Sequence, residues 1–232
     1  MKILITGGAG FIGSDLVRRL GKDNEFKVCV IDKLTYAGDL RRIKEAEEKI
    51  SFYPQDITEI EGLEYIFEKE KPQIIVHYVA ETHVDRSILN HDLFLKANVL
   101  GTFNLLKVSL KYGIKKFIHI STDEVYGELP LNSKEKFKED MPLLPNSPYS
   151  ASKASAEMFV RAFIKTYGFP GIIIRASNTY GPWQYPEKLI PLSIAKLLLG
   201  EKITYLWNRR KSVSYTHLRA HETSLHLVCR LL

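Results

Sequence analysis

Lys2-Ile3-Leu4-Ile5-Thr6-Gly7-Gly8-Ala9-Gly10-Phe11-Ile12-Gly13-Ser14 is the stretch whose reading decides the fold. An apolar strand, Lys2–Thr6, runs into a glycine turn, and the helical pattern Ser14–Leu20 follows it. Gly7, Gly10 and Gly13 fit a G-x-x-G-x-x-G spacing, while Gly8, Gly10 and Gly13 also fit G-x-G-x-x-G. Strand, glycine turn and helix together separate this motif from an ordinary Gly-rich turn. The glycines let backbone approach a pyrophosphate, and the helix start offers it free N–H groups.

Working outward, a second strand, Phe26–Ile31, ends at Asp32, nineteen positions past Gly13. A carboxylate there accepts hydrogen bonds from an adenosine ribose and repels a 2′-phosphate, which favours NAD over NADP; Lys33 beside it weakens that preference slightly. A third strand, Ile50–Tyr53, leads to Asp56-Ile57, and Thr58 with Glu61 predicts a capping box on the next helix. A fourth strand, Gln73–Tyr78, follows Lys71-Pro72, and Asn90–Tyr112 reads as one long helix. Strands alternating with helical stretches predict an α/β fold, a Rossmann-type doubly wound parallel sheet.

The chemistry-bearing residues lie further on. Phe117–Ile120 reads as a buried strand that ends in Ser121-Thr122-Asp123-Glu124. Ligands sit at the carboxyl ends of strands in such sheets. Tyr149 and Lys153 follow at i, i+4, on one face of a predicted Tyr149–Tyr167 helix. An unperturbed Tyr, with pKa about 10, is a poor base at neutral pH. A neighbouring ammonium lowers that value, which makes Tyr149 a candidate base with Lys153 as its tuner. Taken alone, an Asp-Glu pair after a strand is usually a solvated turn, and Tyr-x-x-x-Lys occurs in many helices by chance. The glycine turn raises both above that. His77 and His119, in apolar strands, read as core histidines, and His83 as packing beside the cofactor.

The chain has 232 residues, 45% of them hydrophobic, enough for one good core or a main domain plus a small one. Its net charge of +6 suggests nucleic acid, but five of the basic residues and a single acid fall in residues 206–232, leaving the body near neutral. Nucleic-acid binding is therefore not expected. The first apolar run is too short for a signal peptide, and no segment reads as a membrane span; a cytoplasmic protein is expected. Cys29 lies in an apolar strand, so no disulfide framework is implied.

The runs Thr6–Gly13, Ala80–Ser87, Asn98–Thr102, Ser121–Gly127, Tyr149–Lys153 and Ser177–Pro191 resemble the extended short-chain dehydrogenase/reductase family, and within it the nucleotide-sugar 4,6-dehydratases. The resemblance runs in register from Met1 to about Tyr205. It implies a tightly bound NAD and a nucleotide-sugar substrate, dTDP-glucose. The sugar is oxidised at C4, loses water across C5–C6, and receives hydride back at C6. Glu124 is then the base at C5, Asp123 the acid at the departing C6 oxygen, and Thr122 a hydrogen-bond partner near O4. Cofactor contacts are implied for Gly7, Gly10, Phe11, Ile12, Gly13, Asp32, Lys33, Leu34, Thr35, Asp56, Ile57, Val79, Ala80, Glu81, Tyr149 and Lys153. Substrate contacts are implied for Thr82, Thr122, Asn178, Lys188 and Leu189, with no metal. A homodimer through the Asn90–Tyr112 and Tyr149–Tyr167 helices is implied as well. A 4-epimerase or another nucleotide-sugar dehydratase on the same scaffold, and a catalytically incompetent NAD-binding fragment, stay open as alternatives.

Some positions depart from the family. Val79 stands where Ala is usual, Ala97 replaces a Thr before Asn98, and Thr179 replaces the second Asn of an Asn-Asn-Tyr-Gly-Pro motif. A permitted back-translation of Leu206–Lys211, shifted by one base, reads Tyr-Gly-Thr-Gly-Glu, the family's own continuation. A frameshift at about Tyr205 is therefore expected. Residues 1–181 read as an NAD-binding domain, 182–205 as the start of a substrate-binding domain, and 206–232 as a non-native tail. His217, His221, His226 and Cys229 in that tail mimic metal-ligand spacing without forming a site. Leu192, Leu197, Leu198 and Leu199, meant for a second domain's core, are expected to stay partly exposed.

Overall fold

In the computed structural model, residues 1–130 and 133–201 are described. The position of the expected frameshift and the tail histidines lie outside them. Six parallel strands form one sheet: β1 (Lys2–Thr6), β2 (Lys27–Ile31), β3 (Ile50–Tyr53), β4 (Ile74–His77), β5 (Lys116–Thr122) and β6 (Gly171–Ala176). Their order is β3-β2-β1-β4-β5-β6. The order reverses between β1 and β4, which opens a crevice at the carboxyl ends of those two strands.

Alternation along the strands builds two cores. Ile3, Ile5, Val28 and Val30 pack on Val17 of helix α1 (Phe11–Gly21) and on Ile43 and Ala46 of a 3-10 segment, Leu40–Lys49. On the other face, Leu4, Cys29, Ile75 and Phe117 meet α2 (Ile60–Glu70) through Leu63 and Phe67. Two shorter helices, α3 (Val84–Leu89) and α4 (His91–Phe94), lead into α5 (Gly101–Lys111). Leu105 of α5 and Val160 of α6 (Pro148–Tyr167) complete that second face. The last helix among the described residues, α7 (Leu189–Leu198), has no buried residue.

Two sequence expectations are corrected. The helix over Asn90–Tyr112 is not uniform: α4 passes through a π-helical segment, Leu95–Leu100, before α5. By length and mean hydropathy (1.2) alone the run His91–Lys111 matches a bilayer-crossing segment, but over half of its apolar window is buried in protein, as in a core helix. The capping box expected at Thr58 and Glu61 does not form: Glu59 is the N-cap, without a side-chain cap, and the Thr58 N–H donates to Asp56. A capping box does form at α6. There Ser147 accepts from the Ser150 N–H at 3.0 Å, and Ser150 accepts from the Ser147 N–H at 2.9 Å. Pro148 at its start and Gly168 in the left-handed C-cap complete both ends.

Candidate active site

The glycine turn packs too closely for side chains. A Cβ on Gly13 would stand 2.3 Å from the Gly7 carbonyl oxygen, and one on Gly7 (φ +72°) 2.8 Å from the Val79 nitrogen. Helix α1 starts at Gly10 with no side-chain cap and no acid in its first turn, so its leading N–H groups face the crevice for an anion. Asp32, at the end of β2, is buried, which pushes its carboxyl above the usual range. It accepts from the Ala9 N–H at 3.0 Å and the Leu34 N–H at 2.8 Å, holding the turn in place.

The crevice encloses about 360 Å³. Of the residues expected to bind cofactor, Gly7, Gly10, Phe11, Ile12, Gly13, Ala80, Tyr149 and Lys153 line it. Thr82, Thr122, Glu124, Asn178, Lys188 and Leu189 line it as well, so the sugar and cofactor candidates share one cavity. Asp32, Lys33, Leu34, Thr35, Asp56, Ile57, Val79, Glu81 and Asp123 are not on its wall. The structure gives a reason for several of them. Lys33 is paired with Asp56 at 3.0 Å, Ile57 is in the core, and the Glu81 backbone is bonded to Asn98.

Strand β5 delivers Thr122 to the cavity, and a short 3-10 turn, Asp123–Tyr126, follows it directly. The Thr122 hydroxyl accepts from the Glu124 N–H and donates to Asp123 at 3.2 Å each, tightening that turn. Both acids are buried. Burial first, and the Asp123 carboxylate second, push the Glu124 carboxyl up to about 7. Two adjacent buried carboxyls, one of them raised toward neutrality, are the groups that acid–base chemistry across a carbon–carbon bond requires.

Helix α6 faces this turn with Tyr149 and Lys153, both buried. Burial dominates the shift of each, and neither shift is set by the other group. Burial and the Glu124 carboxylate push the Tyr149 phenol well above its usual value, with the Thr122 hydroxyl opposing. The Lys153 ammonium instead donates to the Ile120 carbonyl at 2.7 Å, and burial lowers its pKa to about 8. His77 and His119 are core residues, as read: burial holds both imidazoles neutral, His77 at about 3.

Several groups at the site were not singled out from sequence. Arg42 donates to the carbonyls of Ala9 and Ala37 and, at 3.1 Å, to that of Trp183, joining the glycine turn to the segment that closes the cavity. Tyr36 donates to Glu187 at 2.9 Å across the same mouth. No spacing rule marks either residue. Asn98, in the π-helical segment, bonds the Glu81 backbone and donates to Ser152 at 2.8 Å. Its signal was the Asn98–Thr102 run.

The family described as GDP-mannose 4,6 dehydratase matches residues 4–230. The dTDP-glucose 4,6-dehydratase of Salmonella typhimurium is 42% identical over 98% of this chain and 68% of its own length. That of Neisseria meningitidis is 41% identical over 98% of this chain and 67% of its own. Among solved structures, a Streptomyces venezuelae dTDP-glucose 4,6-dehydratase with NAD bound superposes with a TM-score of 0.80 at 43% identity, over 86% of this chain and 63% of that one. The UDP-glucose 4-epimerase of Thermotoga maritima gives 0.79 at 35% identity, over 88% and 65%. The chain thus spans just under two thirds of the length of these solved structures. By sequence, and in keeping with the superposition, this chain belongs to the GDP-mannose 4,6 dehydratase family, alongside the dTDP-glucose 4,6-dehydratases.

Proposed function

We propose that this chain carries the cofactor site and acid–base groups of an NAD-dependent nucleotide-sugar 4,6-dehydratase, with dTDP-glucose as substrate. The observation that carries this is a single crevice lined by the glycine turn, Thr122, Glu124, Tyr149 and Lys153. The residues present fit a dinucleotide: a turn too tight for a Cβ at Gly7 or Gly13, an uncapped helix start, and a carboxylate at the end of β2. Gly10, Ile12 and Gly13 would hold its pyrophosphate, and Lys153 its nicotinamide ribose. NAD supplies the hydride acceptor at C4 and the donor at C6.

The protein's own groups supply the rest. Tyr149 takes the C4 hydroxyl proton, and Thr122 orients that hydroxyl. To take it, Tyr149 must already be ionised; burial disfavours that, so the Lys153 ammonium must stabilise the phenolate before the proton moves. Once C4 is a ketone, the C5–H is acidified. Glu124, on the cavity wall and titrating near neutrality, removes that proton in its ionised form, and Asp123, which must then carry the pair's proton, protonates the departing C6 oxygen. Epimerases superpose almost as well, so the scaffold does not discriminate; an epimerase has no use for an acid pair that expels water.

Two copies pairing through α5 and α6 is part of this proposal. Leu110, Met158, Phe159 and Tyr167 are exposed there, as an apolar interface requires. Sedimentation at micromolar protein tests it, and a monomer throughout refutes it.

The activity is tested by incubating the 232-residue chain with NAD and dTDP-glucose and following the 4-keto-6-deoxy product. Product formation supports the dehydratase. A C4-inverted sugar without water loss establishes the epimerase instead. NAD binding with no turnover leaves the non-catalytic fragment as the correct description.

A further inference from the structure

Glu157 lies one turn beyond Lys153 on the face of α6 that carries Tyr149, and it is fully buried. A buried carboxylate needs a partner. Arg175, reaching in from the edge strand β6, donates both Nε (2.9 Å) and Nη2 to one of its oxygens, Oε1. The other oxygen, Oε2, has no hydrogen-bond partner among the described residues. Arg175 does not stop at Glu157. Its Nη1 donates to the Tyr126 hydroxyl and, at 2.9 Å, to the Glu139 carbonyl, and its guanidinium lies 4.7 Å over the Tyr126 ring. Tyr126 closes the 3-10 turn that begins with Asp123 and Glu124, and it stacks on Phe137 at 5.0 Å. One guanidinium therefore ties the helix of Tyr149 and Lys153 to the turn of the acid pair.

We propose that Glu157, held by Arg175, is a positioning residue that sets the charge environment of Lys153 and couples α6 to the Asp123–Tyr126 turn. The inference deepens the proposed function and rests on it for the word catalysis; the geometry stands without it. His77 from β4, His119 from β5 and Glu157 from its own helix interact with the Lys153 charge, and Glu124 from the turn and Tyr149 share the cavity wall with it. Both histidines are held neutral by burial. Burial drives the Lys153 ammonium toward deprotonation, and Glu157 is the one charge that raises it again. Removing that anion must lower the pH at which Lys153 loses its proton.

The test is an NMR titration of 15N-lysine-labelled protein, with the Lys153 signal identified by its loss in Lys153→Met. In Glu157→Gln the midpoint is expected to fall by about one pH unit, the order for one neighbouring charge. Glu157→Asp, which keeps the charge, is expected to restore most of that shift. Should Glu157→Gln not fold because Arg175 is left unpaired, Glu157→Gln with Arg175→Met removes both charges, and a midpoint below wild type is again expected. An unchanged midpoint in a folded variant lacking the Glu157 carboxylate overturns the proposal. NAD affinity measured by calorimetry over the same pH range completes the test. If NAD does not bind any variant at any pH, the proposed function fails while the lysine titration still decides the role of Glu157.

Discussion

The Lys153 ammonium donates a 2.7 Å hydrogen bond to the Ile120 carbonyl, so the helix carrying Tyr149 is fastened to the strand that ends in Thr122. The same bond holds a cation in a buried site, where burial alone would remove its proton. Acid pair, phenol and ammonium thus form one electrostatic unit, and the expected outcomes below follow from that unit and the turn beside it.

Glu124 should make stability fall with rising pH. Its folded pKa, about 7, lies above the unfolded value near 4.5, so the folded state binds the proton more tightly. That contribution is fully present below the unfolded value and is lost as pH rises through the folded one. Urea denaturation should show Glu124→Gln gaining on the order of 3 kcal/mol relative to wild type between pH 4.5 and pH 8. An equal difference at both pH values would show that Glu124 is not perturbed.

Gly13→Ala should abolish dinucleotide binding. Its new Cβ meets the Gly7 carbonyl oxygen at 2.3 Å, backbone against backbone, with no flexible side chain to yield. A loss of about 2 kcal/mol or more is expected by thermal unfolding, as for an overpacked site, with NAD affinity lost in calorimetry. Wild-type affinity in this variant would contradict the cradle.

Asn98→Ala should destabilise the fold by roughly 2–4 kcal/mol, because the Glu81 backbone groups and the Ser152 hydroxyl lose a buried partner together. Chemical denaturation measures it. A change below about 0.5 kcal/mol, the range of a surface substitution, would place these groups in contact with water.

Leu198→Glu should leave stability within about 0.5 kcal/mol and reduce self-association. Leu198 is 83% exposed, and Leu197 and Leu199 are exposed beside it, as expected from sequence. Light scattering against protein concentration is the measurement. Undiminished association would locate the sticky surface elsewhere, with the outer faces of α5 and α6 the next to examine.

How much was legible depended on the range of the interaction. Strand positions were read to within a residue or two because alternation is a property of neighbours. The α6 boundary was read from Tyr149, one residue late, because Ser147 caps a helix that Pro148 begins. The π-helical segment at Leu95–Leu100, in which Asn98 bonds Glu81 and Ser152, left no trace in the apolar spacing. The capping box misread at Thr58 shows the same limit: the motif was present, and the chain's path placed Glu59 at the cap instead.

By itself, the sequence determined the doubly wound sheet, the glycine turn and the acid at the end of β2. All of these follow from periodicity and short spacings, which act along the chain. Only the tertiary structure decided which way the Tyr149 phenol is shifted, that Arg42 joins the glycine turn to residue 183, and that Arg175 binds Glu157 and Tyr126 together. Those depend on burial and on partners tens to more than a hundred positions apart, which no local pattern encodes.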